Sequence, residues 1–326
     1  MSKPKVFITR RIPDSGLDMI YEECEVDLWE QELPPTKEEL LQHVRGVDGI
    51  LSLLSDPIDV EVMGAAGENL KVISNYAVGF NNIDVQEATK RKIAVGNTPG
   101  VLTEATADFA FALMMSAGRR VVEAEKTVQA GKWKTWGPSI LLGVDFSGAT
   151  LGIIGFGRIG KAMARRATGF GMRILIYDPT AQPMEGIIKV DLDTLYRESD
   201  FISIHTPLTP ETKHLINQEA FSKMKPTAVL VNTARGEIVD QDALYDALKN
   251  RKIFAAGIDV TDPEPLPLDS PLLELDNLII CPHIASASTS TRENMAIIAA
   301  GNLLAGLHGN RLPHVVNPEI YQKDQT

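Results

Sequence analysis

A chain of 326 residues exceeds what one typical core supports, so two domains are expected, and 44% hydrophobic with 23% charged residues excludes a disordered or fibrous protein. The formal charge of −11, from 43 acidic and 32 basic residues with no basic stripe, argues against a nucleic-acid partner. No stretch approaches the roughly 18 apolar residues of a membrane helix, only Cys24 and Cys281 are present, and MSKPKVFITR runs into a strand pattern rather than a signal-peptide core, so a reduced, cytoplasmic protein is expected.

From the amino terminus, short apolar runs alternate with helix-period segments: KVFITR, then a stretch from Asp14; EVDLW, then TKEELLQHV; GILSLL, then IDVEVMGAA; KVISNY, then IDVQEATKRK; then IAVGN. This is the rhythm of a parallel sheet with crossover helices. Near Pro99 and Gly100 the rhythm changes. The segment TEATADFAFALMMSAGRRVVEAEKTVQAG is expected to form one long helix, apolar around much of its first half and placed to bridge two domains. A second strand series begins at Ala149 with TLGIIGFGRIG, RILIYD, FISIHTPL, AVLVNTA, AAGIDV and LIICPHI, and stops after His283. The helical segment ASTSTRENMAIIAAGNLLAGLHGN follows, then RLPHVVNP, which reads as an edge strand or docked arm returning to the first domain. The expected class is α/β, with two doubly wound parallel sheets: one domain from residues 1–99 and 288–326, the other from 100–287.

In LGIIGFGRIG, Gly155, Gly157 and Gly160 follow an apolar strand and open a helix, with a second strand, RILIYD, beyond. A bare G-x-G-x-x-G also marks ordinary turns, but this context gives it a purpose. A tight turn and absent side chains let a pyrophosphate approach the free N–H groups at the helix start, so the second domain is expected to be a Rossmann dinucleotide-binding domain. Asp178 ends the second strand 18 residues beyond Gly160, near the spacing of an acid that holds the adenosine ribose. A carboxylate there repels a 2′-phosphate, so NAD is favoured over NADP, although Arg158 lies in the same loop. The alternative for Asp178 is a solvated strand-end acid.

Three later strand ends carry ionisable groups: Arg235 in NTARGE, Asp259 and Glu264 in DVTDPEPLP, and His283 in CPHIAS. In an open parallel sheet the carboxyl ends of neighbouring strands face one crevice. Beside a nicotinamide, Arg235 would clamp a 2-oxo acid's carboxylate and polarise its carbonyl, while His283 would protonate the forming alkoxide. Glu264 would fix the imidazole tautomer and favour the charged ring. Taken singly, each has a plainer reading: a structural histidine, an Arg235–Glu237 surface pair, a solvated acid in a proline-rich loop. Cys281 offers no nucleophile, since nothing in an apolar strand lowers its pKa.

Five linked motifs, LGIIGFGRIG with YD, HTPLTPET, VNTARGEIVD, GIDVTDPEPLP and CPHIAS, resemble the D-isomer-specific 2-hydroxyacid dehydrogenases along essentially the whole chain, and DVTDPEPLP with HIAS resembles their glyoxylate/hydroxypyruvate reductase branch. The resemblance implies Arg235, Glu264 and His283 as the catalytic set. It implies cofactor contacts from Thr106, from Ile159 and Arg158 within the glycine motif, from His205, Thr206, Pro207 and Thr212, and from Thr233, Ala234, Asp259 and His283. It also implies a flavodoxin-like, substrate-binding first domain, in which backbone at Val78 and Gly79 in NYAVGFNNID takes a carboxylate and Leu54 lies beside the substrate. Ser286 matches a substrate-side hydroxyl, and WKTWGP lies where this family dimerises, with Trp136 at the substrate opening and Trp133 in plain interface packing.

The resulting expectation is a homodimeric, NADH-preferring reductase of glyoxylate or hydroxypyruvate that uses no metal. The branch often prefers NADPH, which Asp178 argues against. Alternatives are oxidoreduction of D-lactate, 2-ketogluconate or phosphite on the same constellation, or a non-enzymic NAD-sensing protein resembling the family's corepressors. Formate oxidation is disfavoured because that branch has Gln at the position of Glu264.

Overall fold

The computed structural model describes residues 2–182 and 184–322. The chain opens with β1 (Lys5–Ile8), α1 (Asp14–Glu23), β2 (Glu25–Leu28), α2 (Lys37–His43), β3 (Gly49–Ser52), α3 (Val60–Ala66), β4 (Val72–Asn75), α4 (Val85–Lys90) and β5 (Ala94–Gly96). It continues through α5 (Thr103–Gly118), α6 (Val121–Gln129), β6 (Thr150–Ile154), α7 (Arg158–Thr168), β7 (Arg173–Tyr177), β8 (Ile187–Lys189), α8 (Leu192–Glu198) and β9 (Phe201–Ile204). Then come α9 (Gln218–Lys223), β10 (Val229–Asn232), α10 (Gln241–Lys249), β11 (Ala255–Ile258), β12 (Leu278–Ile280) and α11 (Thr289–Leu307). Two compact units result: Met1–Leu102 with Ala287–Thr326, and Thr103–Ser286.

The first unit is a parallel sheet in the order β2-β1-β3-β4-β5, the flavodoxin-like order. Strands GILS and VISN are buried at every position because helices cover both faces. On one face Leu17 and Ile20 of α1 pack with Met295, Ala299 and Leu303 of α11; on the other Leu40, Val62, Met63 and Ala88 come from α2, α3 and α4. The helix starts are written in the sequence: Thr36 and Glu39 form a reciprocal capping box, and Asp59 and Asp84 cap α3 and α4. Gly16 lets α1 approach α11, since a Cβ there would lie 2.6 Å from the Ala296 carbonyl oxygen. After α11 the chain docks on β5, Val316 N donating to Val95 O at 2.7 Å and Asn97 N to His314 O at 3.2 Å.

The second unit is a seven-stranded parallel sheet in the order β12-β11-β10-β9-β6-β7-β8. Strand order reverses between β6 and β9, the topological switch point of a doubly wound fold, and ligands bind such sheets beyond the carboxyl ends. Helices α5 and α7 cover one face through Met114, Met163 and Ala167, while Leu195, Phe221, Leu244 and Leu248 of α8, α9 and α10 cover the other.

The single long helix expected over 103–131 is in fact two. Arg120 stands between α5 and α6 with φ +56°, and the Gly118 carbonyl accepts from Val144 N at 2.9 Å, a contact made by chain well beyond the second helix. Arg120 then grips Glu123 with two bonds, 2.7 and 2.8 Å long, at the start of the second helix. The short edge strand β8, half-exposed and only three residues long, carries too little pattern to be marked from sequence. Among the described residues no helix is long and apolar enough to cross a membrane.

Candidate active site

Each ionisable or glycine-rich strand end singled out in the second strand series lies at a carboxyl end of the second sheet. Across that edge, following the strand order, stand His283 after β12, Asp259 after β11, Arg235 after β10, His205 after β9, the glycine turn after β6 and Asp178 after β7.

The glycine turn fits a dinucleotide's pyrophosphate on three counts. Gly155 has φ +89° and packs so closely on the next strand's end that a Cβ would lie 2.6 Å from the His205 carbonyl. Gly160 lets α7 close onto the turn, a Cβ there falling 2.2 Å from Gly155 O. At Gly157 a Cβ would meet nothing within 4 Å, and it heads an eleven-residue helix with neither a side-chain cap nor an acid in its first turn. That leaves free N–H groups at the positive end of a helix, open to an anion. Arg158 and Ile159 are the first helical residues, Arg158 exposed and Ile159 half-buried.

Asp178 is more than a strand-end acid. Its Oδ2 accepts from Phe156 N at 2.8 Å, inside the glycine turn, while Oδ1 accepts from Thr180 N, Thr180 Oγ1 and Ala181 N at 2.7 to 3.0 Å. Burial pushes its pKa up, but these four bonds outweigh that and hold it below the usual value. The carboxylate therefore holds the turn's shape, and Oδ2, with one partner, keeps capacity for another donor.

After β9, burial pushes His205 down to about 4, and its Nε2 pairs with Ser203 Oγ at 2.8 Å. The ring is neutral and turned to its own strand; what it offers the glycine turn is backbone. Thr212 Oγ1 donates to Pro207 O at 2.7 Å and accepts from Thr209 N at 2.7 Å, tying off the loop that carries Thr206 and Pro207. After β10, Asn232 accepts from Ala234 N and donates to Arg235 O, and Thr233 Oγ1 is buried with no partner among the described residues. A buried hydroxyl without a partner is costly, and one beside a proposed nicotinamide end fits a ligand's donor or acceptor. Thr106 is buried in the first turn of α5.

The chemical core is a hydrogen-bonded pair beside an arginine. His283 Nδ1 lies 2.9 Å from Glu264 Oε2, and Glu264 Oε1 accepts from Thr261 N at 3.0 Å. Burial raises the Glu264 pKa, but the bond and charge of His283, the Thr261 N–H and the charge of Arg235 outweigh it and leave the carboxyl below its usual value. Glu264 is thus an ionised acceptor, which makes Nδ1 the donor and leaves Nε2 free. Arg235 is half-buried, Nη1 donating to Ala234 O at 2.6 Å; burial lowers its pKa against the raising charges of Glu264 and Glu237, and a guanidinium stays protonated regardless.

His283 sits in left-handed backbone, φ +55°, a conformation rare in non-glycine residues. Asp259 holds it there: the Asp259 carbonyl accepts His283 N at 2.8 Å, and its carboxylate accepts Ile284 N at 2.8 Å and Ala285 N at 2.7 Å. Burial still keeps the Asp259 carboxyl above its usual value despite those bonds. Pro282 and this clamp explain the placement of an ionisable ring directly after a buried strand. Ser286 is half-buried at the end of the second unit, and Trp136 is 79% exposed in the segment after α6. A separate cleft of about 240 Å³, lined by Arg120, Lys126, Arg251 and Asn277, opens toward the amino ends of β11 and β12, away from these groups.

In the first unit the loop after β4 presents backbone. The carbonyls of Ala77, Val78 and Gly79 accept from Thr98 N, Asn97 Nδ2 and Asn75 Nδ2 at 2.7 to 2.9 Å. In trans peptides the N–H groups of Val78, Gly79 and Phe80 then point the opposite way, and none of the three donates to a partner among the described residues. Three consecutive free N–H groups suit an anion. Leu54 is 37% exposed in the loop after β3.

Residues 111–285 match the family model of the D-isomer specific 2-hydroxyacid dehydrogenase, NAD binding domain. The chain belongs to the D-isomer-specific 2-hydroxyacid dehydrogenase family. A glyoxylate reductase of Korarchaeum cryptofilum is 55% identical over 98% of this chain and 97% of its own length. A solved protein from Thermus thermophilus superposes with a TM-score of 0.92 at 47% identity, covering 96% of this chain and 99% of its own. An NADPH-dependent glyoxylate/hydroxypyruvate reductase from Sinorhizobium meliloti, solved with NADP and malonate, has a TM-score of 0.85 at 31% identity over the full length of both chains.

Asn232, Gln241 and Thr261 were not singled out from the sequence. Asn232 carried a signal, a strand-end Asn before a turn, where such side chains bond backbone two residues on; Thr261 likewise acts locally, on Pro263 and Glu264, whereas Gln241 acts through contacts that no local pattern encodes.

Proposed function

We propose that this protein reduces glyoxylate or hydroxypyruvate to the 2-hydroxy acid, drawing on NADH. The supporting observation is the Glu264–His283 bond at 2.9 Å with Arg235 on the neighbouring strand end. A nicotinamide held there would supply the hydride that the carbonyl carbon accepts. Arg235 binds the substrate carboxylate and polarises the carbonyl, His283 Nε2 donates the proton to the oxygen, and Glu264 holds the ring by Nδ1 and balances its charge. The glycine turn takes the pyrophosphate, the neutral His205 loop and Thr233 line the nicotinamide end, and Asp178 meets the adenosine ribose. That charge is the argument for NADH, set against a relative described as NADPH-dependent.

The second unit serves as the cofactor domain and the first as the substrate domain, whose N–H groups following Ala77 would receive a carboxylate, with Leu54 in the loop after β3. The protein is read as a cytoplasmic homodimer that pairs through the segment around α6. Val121, Val128, Trp133, Trp136, Ile140 and Leu142 there are all at least half exposed, more apolar surface than an isolated surface segment normally leaves in water. The deciding experiment is a steady-state panel of glyoxylate, hydroxypyruvate, pyruvate and 2-ketogluconate with NADH and NADPH, ranked by kcat/KM. Glyoxylate or hydroxypyruvate with NADH should lead; pyruvate or 2-ketogluconate in front would overturn the substrate assignment.

A further inference from the structure

Glu264 stands in a proline-flanked loop, so something must hold the loop for the carboxylate to meet His283 at hydrogen-bond distance. Thr261 does part of this locally, its N–H bonding Glu264 Oε1 at 3.0 Å and its hydroxyl bonding Pro263 O at 2.8 Å. The rest comes from a segment that is distant in sequence. Gln241, first residue of α10, brackets the Asp262 peptide groups: its Oε1 accepts from Asp262 N at 3.1 Å and its Nε2 donates to Asp262 O. Both of the amide's functions are used on one residue of the Glu264 loop.

Gln241 is itself rigidly mounted. Asp240 caps α10 by accepting from Asp242 N and Ala243 N, Asp240 N donates to Ile216 O at 3.0 Å, and Leu244 and Leu248 anchor the helix in the core. At the other end of the same segment Gly236 follows Arg235. A Cβ on Gly236 would lie 2.1 Å from the Thr261 carbonyl atoms and 2.7 Å from Asp262 N. Residues 235 to 241 therefore grip the Thr261–Asp262 backbone twice, by close packing beside Arg235 and by the Gln241 bracket.

Resting on the reading of Glu264 and His283 as the proton-transfer pair, we propose that Gln241 is a positioning residue for the reaction: by bracketing Asp262 it fixes the Glu264 carboxylate on His283 and in register with Arg235. It touches neither ring nor carboxylate. Its effect travels through one loop.

The test uses the full-length enzyme with glyoxylate and NADH. Gln241→Met keeps the side chain's length and removes both hydrogen bonds. It should lower kcat about tenfold, less than the ~100-fold that a 1 Å misplacement can cost, leave NADH affinity unchanged, and move the alkaline limb of the pH profile to lower pH. Placed on a Glu264→Gln background the same change should add almost nothing, because its target is gone. Should the Met variant not fold, Gln241→Asn, which keeps the amide on an arm one carbon shorter and adds no charge, should show the same pH displacement to a smaller degree. A folded Gln241 variant with an unmoved pH profile, or an undiminished loss on the Glu264→Gln background, would overturn the proposal. The underlying reading fails separately, if Glu264→Gln alone leaves both kcat and the pH profile as they were.

Discussion

The carboxyl edges of the two sheets are built from different chemistry. After β4 in the first unit, uncharged amides hold the loop: Asn75 bonds Gly79 O and Asn82, Asn82 bonds Leu53 O and Asp56 O, and Asn97 bonds Val78 O. What that edge offers is main-chain N–H. In the second unit the offering is side-chain charge, with Arg235, Glu264 and His283 held by backbone contacts from Asp259, Thr261 and Gln241. The difference teaches where substitutions should register: in the first unit through the shape and stability of a loop, in the second through turnover and its pH dependence.

The comparison breaks most sharply at His283. His283→Gln removes the proton donor while keeping a polar side chain of similar reach, and should lower kcat with glyoxylate by about 10² to 10⁴. NADH binding, followed by fluorescence titration, should be nearly unchanged; an equal loss of both would mean that the residue holds the fold.

Glu264→Gln should cost less, below about 10²-fold in kcat, because the donor remains and only its support is weakened. Without the carboxylate the charged ring loses its counter-charge, so the alkaline limb of reduction should move to lower pH. Stability follows a matching sign. The folded Glu264 pKa lies below its usual value, so the carboxylate stabilises the protein above about pH 4.3, its unfolded pKa, and the contribution fades as pH falls through the folded value. Urea midpoints of wild type and Glu264→Gln should therefore converge at acid pH and separate toward neutrality.

On the other edge, Asn75→Ala strips donors from Gly79 O and Asn82 and an acceptor from the buried Ser52 Oγ, within a partly buried network. Unfolding free energy should fall by about 1 to 3 kcal/mol. The KM for glyoxylate should rise with kcat and the NADH KM little changed. A variant of full stability with a collapsed kcat would erase the distinction between the edges.

How much of this could be read in advance follows the same division. Alternating apolar runs announced two parallel sheets because strands buried on both faces are nearly continuous in hydrophobicity, as in VISN and VLVN. The glycines and the strand-end charges were legible because their chemistry demands particular residue types at fixed places in the rhythm. The break at Arg120 was not, since it turns on Val144 N capturing the Gly118 carbonyl, and helix propensity says nothing of a partner so far along the chain. Nor was Gln241, whose two bonds go to backbone 21 residues on. Polar side chains that hold loops by main-chain contacts have no required spacing, so they surface only in three dimensions.

Asp178 belongs to both categories, and its test is the finest. The carboxylate holds Phe156 N and the turn at Thr180 and Ala181 as well as carrying a charge, so Asp178→Ala should weaken NADH by loosening the glycine turn. That damage bears on the pyrophosphate, which NADH and NADPH share. The ratio of their kcat/KM values therefore cancels the shared structural effect and isolates the adenosine-ribose end, where repulsion of the 2′-phosphate is a charge interaction worth at most about fivefold in NADH's favour. Asp178→Asn sharpens the measurement, because it keeps one acceptor for the turn while losing the charge. The ratio should move toward NADPH in both variants by a similar amount, whatever the difference in their NADH affinities. If the two variants lose NADH affinity but the ratio stays at the wild-type value, the residue shapes the turn and does not choose the cofactor.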